Sequence, residues 1–258
     1  MKKVALLIFS AAVLLALNGC LIPQAGSDRP TVTVVKAAAG EIIFDGKLSE
    51  KFWQQVPSFE LVRCDASGTL PPLERDRIIA DGLEKCTVKL AYDDKYFYMA
   101  AMLEDNDIIS MCQNTAPAFS GDTMGFSLFP EDALHQWTFY AAPNKAKAAF
   151  FLETPTLDHR MKLKGNYGKL PGFESVCSLD GSLNKQNDKD KGWSVEMRIP
   201  LKEISRRGIN FAPGEKWRLL ALRFNYSAYN YAVQTSCYPA LPAYNFGLKS
   251  YFARVIFR

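Results

Sequence analysis

The sequence is poor in the residues that build common catalytic sites. It has only two histidines, His135 and His159, and neither belongs to the His-Glu-x-x-His pattern of a zinc protease. It also lacks the nucleophile turn of α/β-hydrolases and the glycine-rich loops that bind nucleotide phosphates. Glu196 lies on an alternating segment, on the side opposite Trp193, and is expected at the surface or at a sheet edge. The sequence therefore predicts a protein that is not an enzyme and indicates no definite cofactor.

Neither sign of charge is in large excess. The chain has 31 basic and 27 acidic residues, and they are interspersed along its length. Nucleic-acid-binding proteins usually concentrate lysine and arginine on one face or along one helix. The sequence therefore predicts that nucleic acid is not a partner.

The apolar run near the N-terminus is too short to span a membrane. Residues 4–17 are mostly apolar, whereas a membrane-spanning helix needs ~20 apolar residues. Lys2 and Lys3 precede the run and the small residue Gly19 follows it, which is the order of a secretory signal peptide. We therefore interpret residues 1–19 as a signal peptide that is removed from the mature protein.

The end of this segment, Leu17-Asn18-Gly19-Cys20, resembles the lipobox of bacterial lipoproteins. The resemblance implies cleavage before Cys20 and lipid on that cysteine, which would hold the protein stably on a bilayer. In some bacteria an acidic residue after the cysteine retains the lipoprotein in the inner membrane, and Leu21 is not acidic. We therefore expect a lipid-anchored protein of the bacterial cell envelope, outside the cytoplasm and on the outer membrane, with residues 20–31 as a spacer. An ordinary signal peptide or an uncleaved anchor helix is the alternative.

The six cysteines include no Cys-x-x-Cys pair. If Cys20 carries lipid, an odd number is left for disulfides, which an oxidising compartment permits. Cys64 and Cys86 flank a polar segment that contains Gly68 and Pro71, so a bridge between them is the first expectation. The alternative is that the cysteines are buried as small apolar side chains. The cysteines concerned are Cys64, Cys86, Cys112, Cys177 and Cys237.

Apolar and polar residues alternate along many short segments, as expected for half-buried strands. Clear examples are residues 87–92, 123–128, 193–199 and 251–257. Only two short helices are indicated. One is capped by Ser49 and continues to Val56. The other begins at Pro200 and runs through Ile204. The sequence therefore predicts an all-β fold, an antiparallel two-sheet β-sandwich of the jelly-roll type with two short helices.

Six local patterns follow one another along the chain, at residues 43–53, 88–100, 122–126, 192–201, 214–218 and 251–257. Their order is similar to that of family 9 carbohydrate-binding modules. The resemblance implies one non-catalytic β-sandwich domain over residues 32–258 that binds a glycan or polysaccharide. It also implies that Trp53 and Trp193 are core residues and that Asp93-Asp94 forms a turn.

The resemblance also implies where a sugar would bind. Sugar rings stack their C–H faces on aromatic side chains, while their hydroxyls bind planar polar groups. Family members hold the sugar between two tryptophans, and Phe119 and Phe246 fall at those positions. Gly125 falls where the family has an acidic sugar ligand, and Thr138 falls near the position of a ligand arginine.

Other residues could complete such a site. Arg223 and Asn225 supply polar groups on the strand after Trp217, and the residues Tyr226 and Tyr238 supply aromatic rings. The alternative for each aromatic residue of this region is packing in the core. Further aromatic residues with the same two interpretations are Trp137, Tyr140, Tyr229, Tyr231 and Tyr244.

Calcium is the one metal cofactor that the resemblance allows, because family members can hold it through carboxylates and carbonyls. Asp105, Asp107 and Asp122 are the candidate ligands. Their spacing matches no defined calcium loop, and solvated turns are the alternative.

Two other functions stay open. The same sandwich superfamily includes haem-binding domains with Met and Lys as axial ligands, although Met99, Met124 and Met197 are expected in strand cores. A scaffold that has lost its sugar site and binds another envelope protein is the third hypothesis.

Overall fold

The structure is a computed structural model that describes residues 29–64, 72–80, 82–111, 120–131, 135–153, 170–205, 210–230, 232–241 and 249–258. Over these ranges the strands are β1 (Thr31–Lys36), β2 (Ser58–Glu60), β3 (Val62–Arg63), β4 (Cys86–Tyr92), β5 (Tyr96–Glu104), β6 (Thr123–Pro130), β7 (His135–Ala141), β8 (Lys147–Glu153), β9 (Glu174–Asp180), β10 (Gly192–Pro200), β11 (Trp217–Asn225), β12 (Gln234–Tyr238) and β13 (Ala253–Phe257). The α-helices are α1 (Lys51–Gln55), α2 (Pro72–Ala80) and α3 (Leu201–Ile204), and a 3₁₀ turn covers Lys249–Tyr251. Within the described ranges, no helix has the length and apolar character needed to cross a membrane.

The strands form one continuous hydrogen-bonded sheet. Its order is β8-β7-β6-β11-β13-β1-β4-β5-β10-β9, with β12 beside β11 and β3, and β2 beside β4. β1 runs parallel to both of its neighbours, β13 and β4. The all-β prediction is confirmed. The prediction of two separate, purely antiparallel sheets differs from the structure, because β1 adds two parallel pairings and joins the two halves into one ladder.

The two halves of the sheet enclose one apolar core, which gives the molecule a sandwich-like cross-section. Alternate residues of β6, β7 and β11 point inwards, among them Trp137 and Trp217. Alternate residues of β5 and β10 meet them from the other half, among them Phe97 and Trp193. Burial of each such side chain contributes roughly 1.5–3 kcal/mol. The prediction that Trp193 is a core residue is confirmed, and so is the expectation that the strand methionines are buried. Those methionines are Met99, Met124 and Met197.

The segment between β1 and β2 covers the outer face of β4 and β5. Trp53 of α1 is 1% exposed and packs there with Tyr98 and Ala100, which confirms its predicted core position. The helix N-cap is Glu50 and has no side-chain cap hydrogen bond, so the expected cap by Ser49 is not formed. Glu50 Oε1 accepts a hydrogen bond from the backbone N–H of Ile43 at 2.6 Å instead.

The second predicted helix and the predicted turn are both present. α3 begins at Leu201, with Pro200 as its N-cap residue, and ends at Ile204 as expected. Residues 93–95 connect β4 to β5, and Asp93 Oδ1 accepts hydrogen bonds from the backbone N–H groups of Lys95 and Tyr96 at 2.7 and 2.6 Å. The side chain of Asp93 favours the turn because it bonds to backbone N–H groups nearby. Pro200 favours the start of the helix because its ring fixes φ at a helical value.

Glu196 is buried, so its predicted surface position is wrong. Its side chain does point to the face opposite Trp193, but the segment before α1 covers that face. Glu196 Oε2 accepts hydrogen bonds from the backbone N–H groups of Asp45 and Gly46 at 3.1 and 2.7 Å. Its Oε1 accepts one from Trp53 Nε1 at 3.1 Å. The carboxylate therefore fastens the turn before α1 and α1 itself to β10.

Gly46 is required in this turn for two reasons. Its φ is +83°, a conformation that costs glycine little and other residues more. A Cβ at this position would also lie 3.0 Å from the backbone carbonyl carbon of Cys177 on β9. Glycine therefore lets the turn approach β9 closely enough for its N–H group to reach Glu196.

The expected bridge between Cys64 and Cys86 is wrong, because Cys86 is a free thiol. Cys86 is 1% exposed, and its Sγ lies 4.0 Å from Met124 Sδ. The alternative of burial is confirmed for Cys64, Cys86 and Cys237, whereas Cys177 is half-buried. The segment between Cys64 and Cys86 contains α2, a third helix that the sequence did not indicate. Cys20 and Cys112 lie outside the described residues.

Glu196 makes the stability of the fold depend on pH. Burial raises the pKa of Glu196 from 4.5 to about 7, despite the hydrogen bonds from Gly46 and Trp53. The folded state therefore binds the proton more tightly than the unfolded state, and its free energy of unfolding falls as pH rises from 4.5 towards 7. Glu196→Gln removes this titration and serves as the reference. We expect the free energy of unfolding of the wild type, relative to Glu196→Gln, to fall by roughly 1–3 kcal/mol over this pH range in urea titrations. A difference that stays constant with pH would contradict the assignment.

Candidate functional site

The register of β6 and β7 brings Gly125 and Thr138, at or near which the resemblance implies sugar ligands, to one face of the sheet. Gly125 pairs with Tyr140, and Ser127 pairs with Thr138, on adjacent antiparallel strands. The intervening residues of both strands point into the core, so these four point outwards. With Gln136, the next outward residue of β7, they form a surface that we call the Tyr140 face: Gly125, Ser127, Gln136, Thr138 and Tyr140.

The ring of Tyr140 lies over Gly125. A Cβ built on Gly125 would be 2.6 Å from Cε1 and 2.7 Å from Cδ1 of Tyr140, closer than real atoms come. An acidic side chain at this position and Tyr140 in its present conformation therefore exclude each other. Burial raises the pKa of the Tyr140 hydroxyl, which keeps it protonated and able to donate a hydrogen bond. The structure thus has an aromatic ring at the position where the resemblance implies an acidic sugar ligand.

Three small polar side chains continue the Tyr140 face along the strands. Ser127 Oγ and Thr138 Oγ1 are 3.1 Å apart and share a hydrogen bond. Gln136 Nε2 donates to Thr138 Oγ1 at 3.2 Å and to Ser127 Oγ at 3.4 Å. Phe150 of β8 borders the face, with its ring centroid 6.1 Å from that of Tyr140 and the rings edge to face. The face therefore combines aromatic and uncharged polar groups.

Tyr226 and Tyr238 lie on different sides of the sheet. Tyr226 packs, with Tyr140, against the apolar cluster that contains Leu222 and Phe224 on the outer side. Tyr238 packs against the main core, and its ring centroid is 4.7 Å from that of Phe59. The structure therefore places Tyr226 beside the Tyr140 face and Tyr238 away from it.

Arg223 and Asn225 point into the interior at the end of β11, on the same side as Trp217. Arg223 is 1% exposed, and its Nη2 donates to the carbonyl of Glu104 at 2.6 Å and to Asn225 Oδ1 at 2.9 Å. Its Nη1 donates to the carbonyl of Glu84 at 3.3 Å, and Asn225 Nδ2 donates to Glu84 Oε2 at 2.7 Å. These contacts fasten the segments around β4 and β5 to β11. They assign both residues a structural role and give no support to a direct contact with sugar.

The three aspartates proposed as calcium ligands are buried and already bonded. Asp107 Oδ2 accepts a hydrogen bond from the backbone N–H of Ala228 at 2.7 Å. Asp122 accepts from the backbone N–H groups of Ile109 and Tyr226, and Asp105 pairs with Arg223. Burial, and then the charge of Asp105, raises the pKa of Asp122 well above its usual range. Nowhere in the described ranges do three metal-ligating side chains converge. The donor set therefore does not fit calcium, and these residues anchor loops instead.

The remaining predicted residues divide by location. Trp137 is 1% exposed in the core, which confirms its core interpretation. Tyr229 is 63% exposed on the loop after β11. Phe119, Phe246, Tyr231 and Tyr244 lie outside the described residues.

Ser127 and Gln136 were not predicted as site residues. The alternation of side chains along β7 indicated the position of Gln136, because Gln136 points to the same side of the strand as Thr138 and Tyr140. The pairing of Gly125 with Tyr140, however, follows only from the register of two strands. A glycine in a strand did indicate a close approach of some group, which is the ring of Tyr140.

The contact between Gly125 and Tyr140 can be tested by a double-mutant cycle. Gly125→Ala places a methyl group against the ring and should lower the free energy of unfolding by about 1–3 kcal/mol. The same substitution in a Tyr140→Ala background should cost much less, because the ring is gone. Urea unfolding of the four proteins measures the coupling. Equal costs in both backgrounds would show that the ring does not cover Gly125.

Solved structures with this fold include a candidate carbohydrate-binding protein from Bacteroides uniformis, with a TM-score of 0.68 and 10% identity over 90% of this chain and 100% of that chain. A family 9 carbohydrate-binding module from Caldicellulosiruptor kristjanssonii in complex with cellotriose gives a TM-score of 0.56 and 15% identity over 88% of this chain and 93% of that chain. The complex of such a module with glucose gives 0.54 and 14% over 88% and 95%. No family profile and no curated protein matches the sequence. The chain therefore has the fold of the family 9 carbohydrate-binding modules, as the order of its sequence motifs predicts.

Proposed function

We propose that the protein is a membrane-tethered lipoprotein of the bacterial cell envelope that binds a carbohydrate at the Tyr140 face and catalyses no reaction. The observation that carries the proposal is the position of this face. It occupies the two adjacent strands on which the family resemblance places sugar ligands, and it presents an aromatic ring beside three polar side chains. The modules that share the fold bind cellotriose and glucose, so gluco-oligosaccharides are the first ligands to test.

The chemistry of the Tyr140 face suits a neutral sugar. The ring of Tyr140 offers a flat surface for the C–H face of a pyranose, and its hydroxyl offers a hydrogen bond. Ser127 and Gln136 are half-buried and supply a hydroxyl and an amide that both donate and accept hydrogen bonds. Thr138 is only 5% exposed, and its hydroxyl holds these two side chains in place. None of these side chains carries a charge, whereas the family has an acidic and a basic ligand at the equivalent positions. We therefore infer that a neutral glycan is preferred over one that contains uronic acid or sulfate.

Substitution of Tyr140 tests the sugar site. Tyr140→Ala removes the ring and should weaken binding of the best glycan on a neutral-glycan array roughly 10-fold, which corresponds to about 1.4 kcal/mol. Tyr140→Phe keeps the ring and should retain most of the affinity. Isothermal titration calorimetry on each variant measures the change.

Tyr229→Ala is the matched control, because Tyr229 is an exposed tyrosine outside the Tyr140 face. It should leave glycan affinity unchanged. Binding that is equal in the wild type and in Tyr140→Ala would exclude the Tyr140 face. Absence of binding to any glycan, together with capture of an envelope protein, would favour the scaffold hypothesis. A Soret band after haem addition would favour the haem-binding hypothesis, although the strand methionines are buried.

The lipid tether is tested separately. In the native host, wild-type protein should incorporate radiolabelled palmitate and sediment with the outer membrane, because Cys20 follows a lipobox-like segment. Cys20→Ala should abolish both the label and the processing of residues 1–19. Label that persists in Cys20→Ala, or its absence from the wild type, would contradict lipidation at this cysteine.

A further inference from the structure

Basic side chains gather where the described chain begins. Arg254 of β13 is the cross-strand partner of Arg218 of β11. The backbone N–H of Arg254 donates at 2.9 Å to the carbonyl of the residue that follows Arg29. Arg218 Nη1 donates to the carbonyl of Lys249 at 3.3 Å, and Lys216 immediately precedes β11. These residues form what we call the basic face: Arg29, Lys216, Arg218, Lys249 and Arg254.

Few acidic groups neutralise the basic face. Glu131 Oε1 lies 2.9 Å from Arg218 Nη2 and 3.5 Å from Arg29 Nη1, so one carboxylate serves two guanidinium groups. Glu215 lines the adjoining groove. Burial, and then the positive charge of Arg218, lowers the pKa of Arg29, as expected where like charges crowd together. Among the described residues, five cationic side chains therefore lie near two carboxylates. The side chains of Arg29 and Arg218 are only 17% and 13% exposed, and Lys249 is half-buried over the ring of Phe129. Lys216 and Arg254 are the exposed cations of the basic face.

The surroundings of the basic face also fit the boundary of a lipid bilayer. A groove of about 430 Å³ runs beside it and is lined by Lys216, Arg254 and Ile256, among others. Lys216 and Arg254 are exposed, and Ile256 is 39% exposed. Cations next to an exposed aliphatic side chain match phosphate headgroups above a layer of acyl chains.

We propose that the basic face docks on the anionic phospholipid headgroups of the membrane that holds the lipid tether. This inference rests on the proposed lipid at Cys20. Arg29 is nine positions after Cys20, a stretch that spans ~30 Å when fully extended, so the basic face lies within reach of the same bilayer. The tether keeps the basic face near the membrane surface. The attraction between a cation and anionic lipid decays within a Debye length, so it acts only when the basic face is turned towards the membrane. The charges therefore select the orientation of the domain.

Docking in this orientation would place the two ends of the Tyr140 face at different distances from the lipid. Glu131 directly follows β6, at the end where the basic face lies, whereas Gly125 is near the start of the same strand. The step of six residues from Gly125 to Glu131 spans about 20 Å of extended strand. Gln136 precedes Trp137, the partner of Leu128, and so lies at the Glu131 end. Gly125 and Tyr140 are therefore the part of the Tyr140 face that would lie farthest from the bilayer.

Binding to vesicles tests the proposal without the tether. The mature chain, residues 20–258 carrying Cys20→Ser, is mixed with vesicles of phosphatidylcholine alone or with phosphatidylglycerol added, and co-sedimentation is measured. We expect binding only when phosphatidylglycerol is present, and weaker binding at higher salt. The pair Lys216→Gln and Arg254→Gln should weaken it roughly 25-fold, because each basic residue near an anionic surface contributes about a 5-fold attraction. Lys216→Gln alone, an exposed substitution, gives the answer should the double variant fail to fold.

The matched control is the pair Lys185→Gln and Lys189→Gln, which removes the same charge from an exposed loop between β9 and β10. It should leave vesicle binding nearly unchanged. Absence of binding, equal weakening by both pairs, or equal affinity for soluble dextran sulfate with the same sensitivity to Lys216→Gln would each overturn docking on lipid. Glycan affinity is measured on the same proteins. Palmitate labelling is measured on the full chain with Cys20 intact and the same lysine and arginine substitutions, so failure of the tether or of the sugar site is seen independently.

Discussion

The parallel hydrogen bonds of β1 join the two halves of the sheet. On one side β1 pairs with β13, which leads to β11, β6, β7 and β8; on the other it pairs with β4, which leads to β5, β10 and β9. A second link is the crossing of residues 58–63, which pair first with β4 and then with β12. The apolar core lies between these halves, so its closure depends on where β1 is placed. β1 begins two residues after Arg29, so the strand that joins the halves is also the first strand after the proposed tether.

Buried polar groups then fix how the outer segments sit on this frame. Arg223 binds backbone carbonyls around β4 and β5 from the side of β11, and Glu196 binds the turn before α1 from β10. Burial of a charge is costly, and such pairs contribute little net stability compared with apolar side chains of similar volume. Their contribution here is positional, because each of them binds partners that are more than 100 residues away in the sequence. Loss of one partner would leave the other buried without compensation.

Most of the correct predictions from the sequence came from patterns among residues close together in the chain. Alternation at period two located β4, β6 and β10, and turn chemistry located Asp93, because these signals act within a few residues of each other. The same alternation placed Glu196 opposite Trp193 correctly, but it could not show that a segment 150 residues away covers that face. Side chains alternate along β11, so Arg223 was expected to point inwards like Trp217 and Leu219. The prediction that Arg223 contacts sugar did not take this alternation into account. The parallel pairing of β1, the free thiol of Cys86 and the contact of Tyr140 with Gly125 depend on register between distant strands, which no local pattern contains.

The exchange of a carboxylate for a ring at the Gly125 position changes what the proposed site can use to bind. A charged ligand pair gains from strong hydrogen bonds to sugar hydroxyls, whereas a site built from Tyr140, Ser127, Gln136 and Thr138 depends on stacking and neutral hydrogen bonds. Such a site gives modest affinity per sugar. The electrostatic field of the protein also does not speed the association of a neutral sugar, as it does for a charged ligand. The proposed tether would compensate for both, because many copies held on one surface would bind a polysaccharide at several points and raise the effective concentration of each further contact. The two proposals are therefore consistent with one another: a lipid anchor would supply, by multivalency, the affinity that an uncharged sugar site lacks.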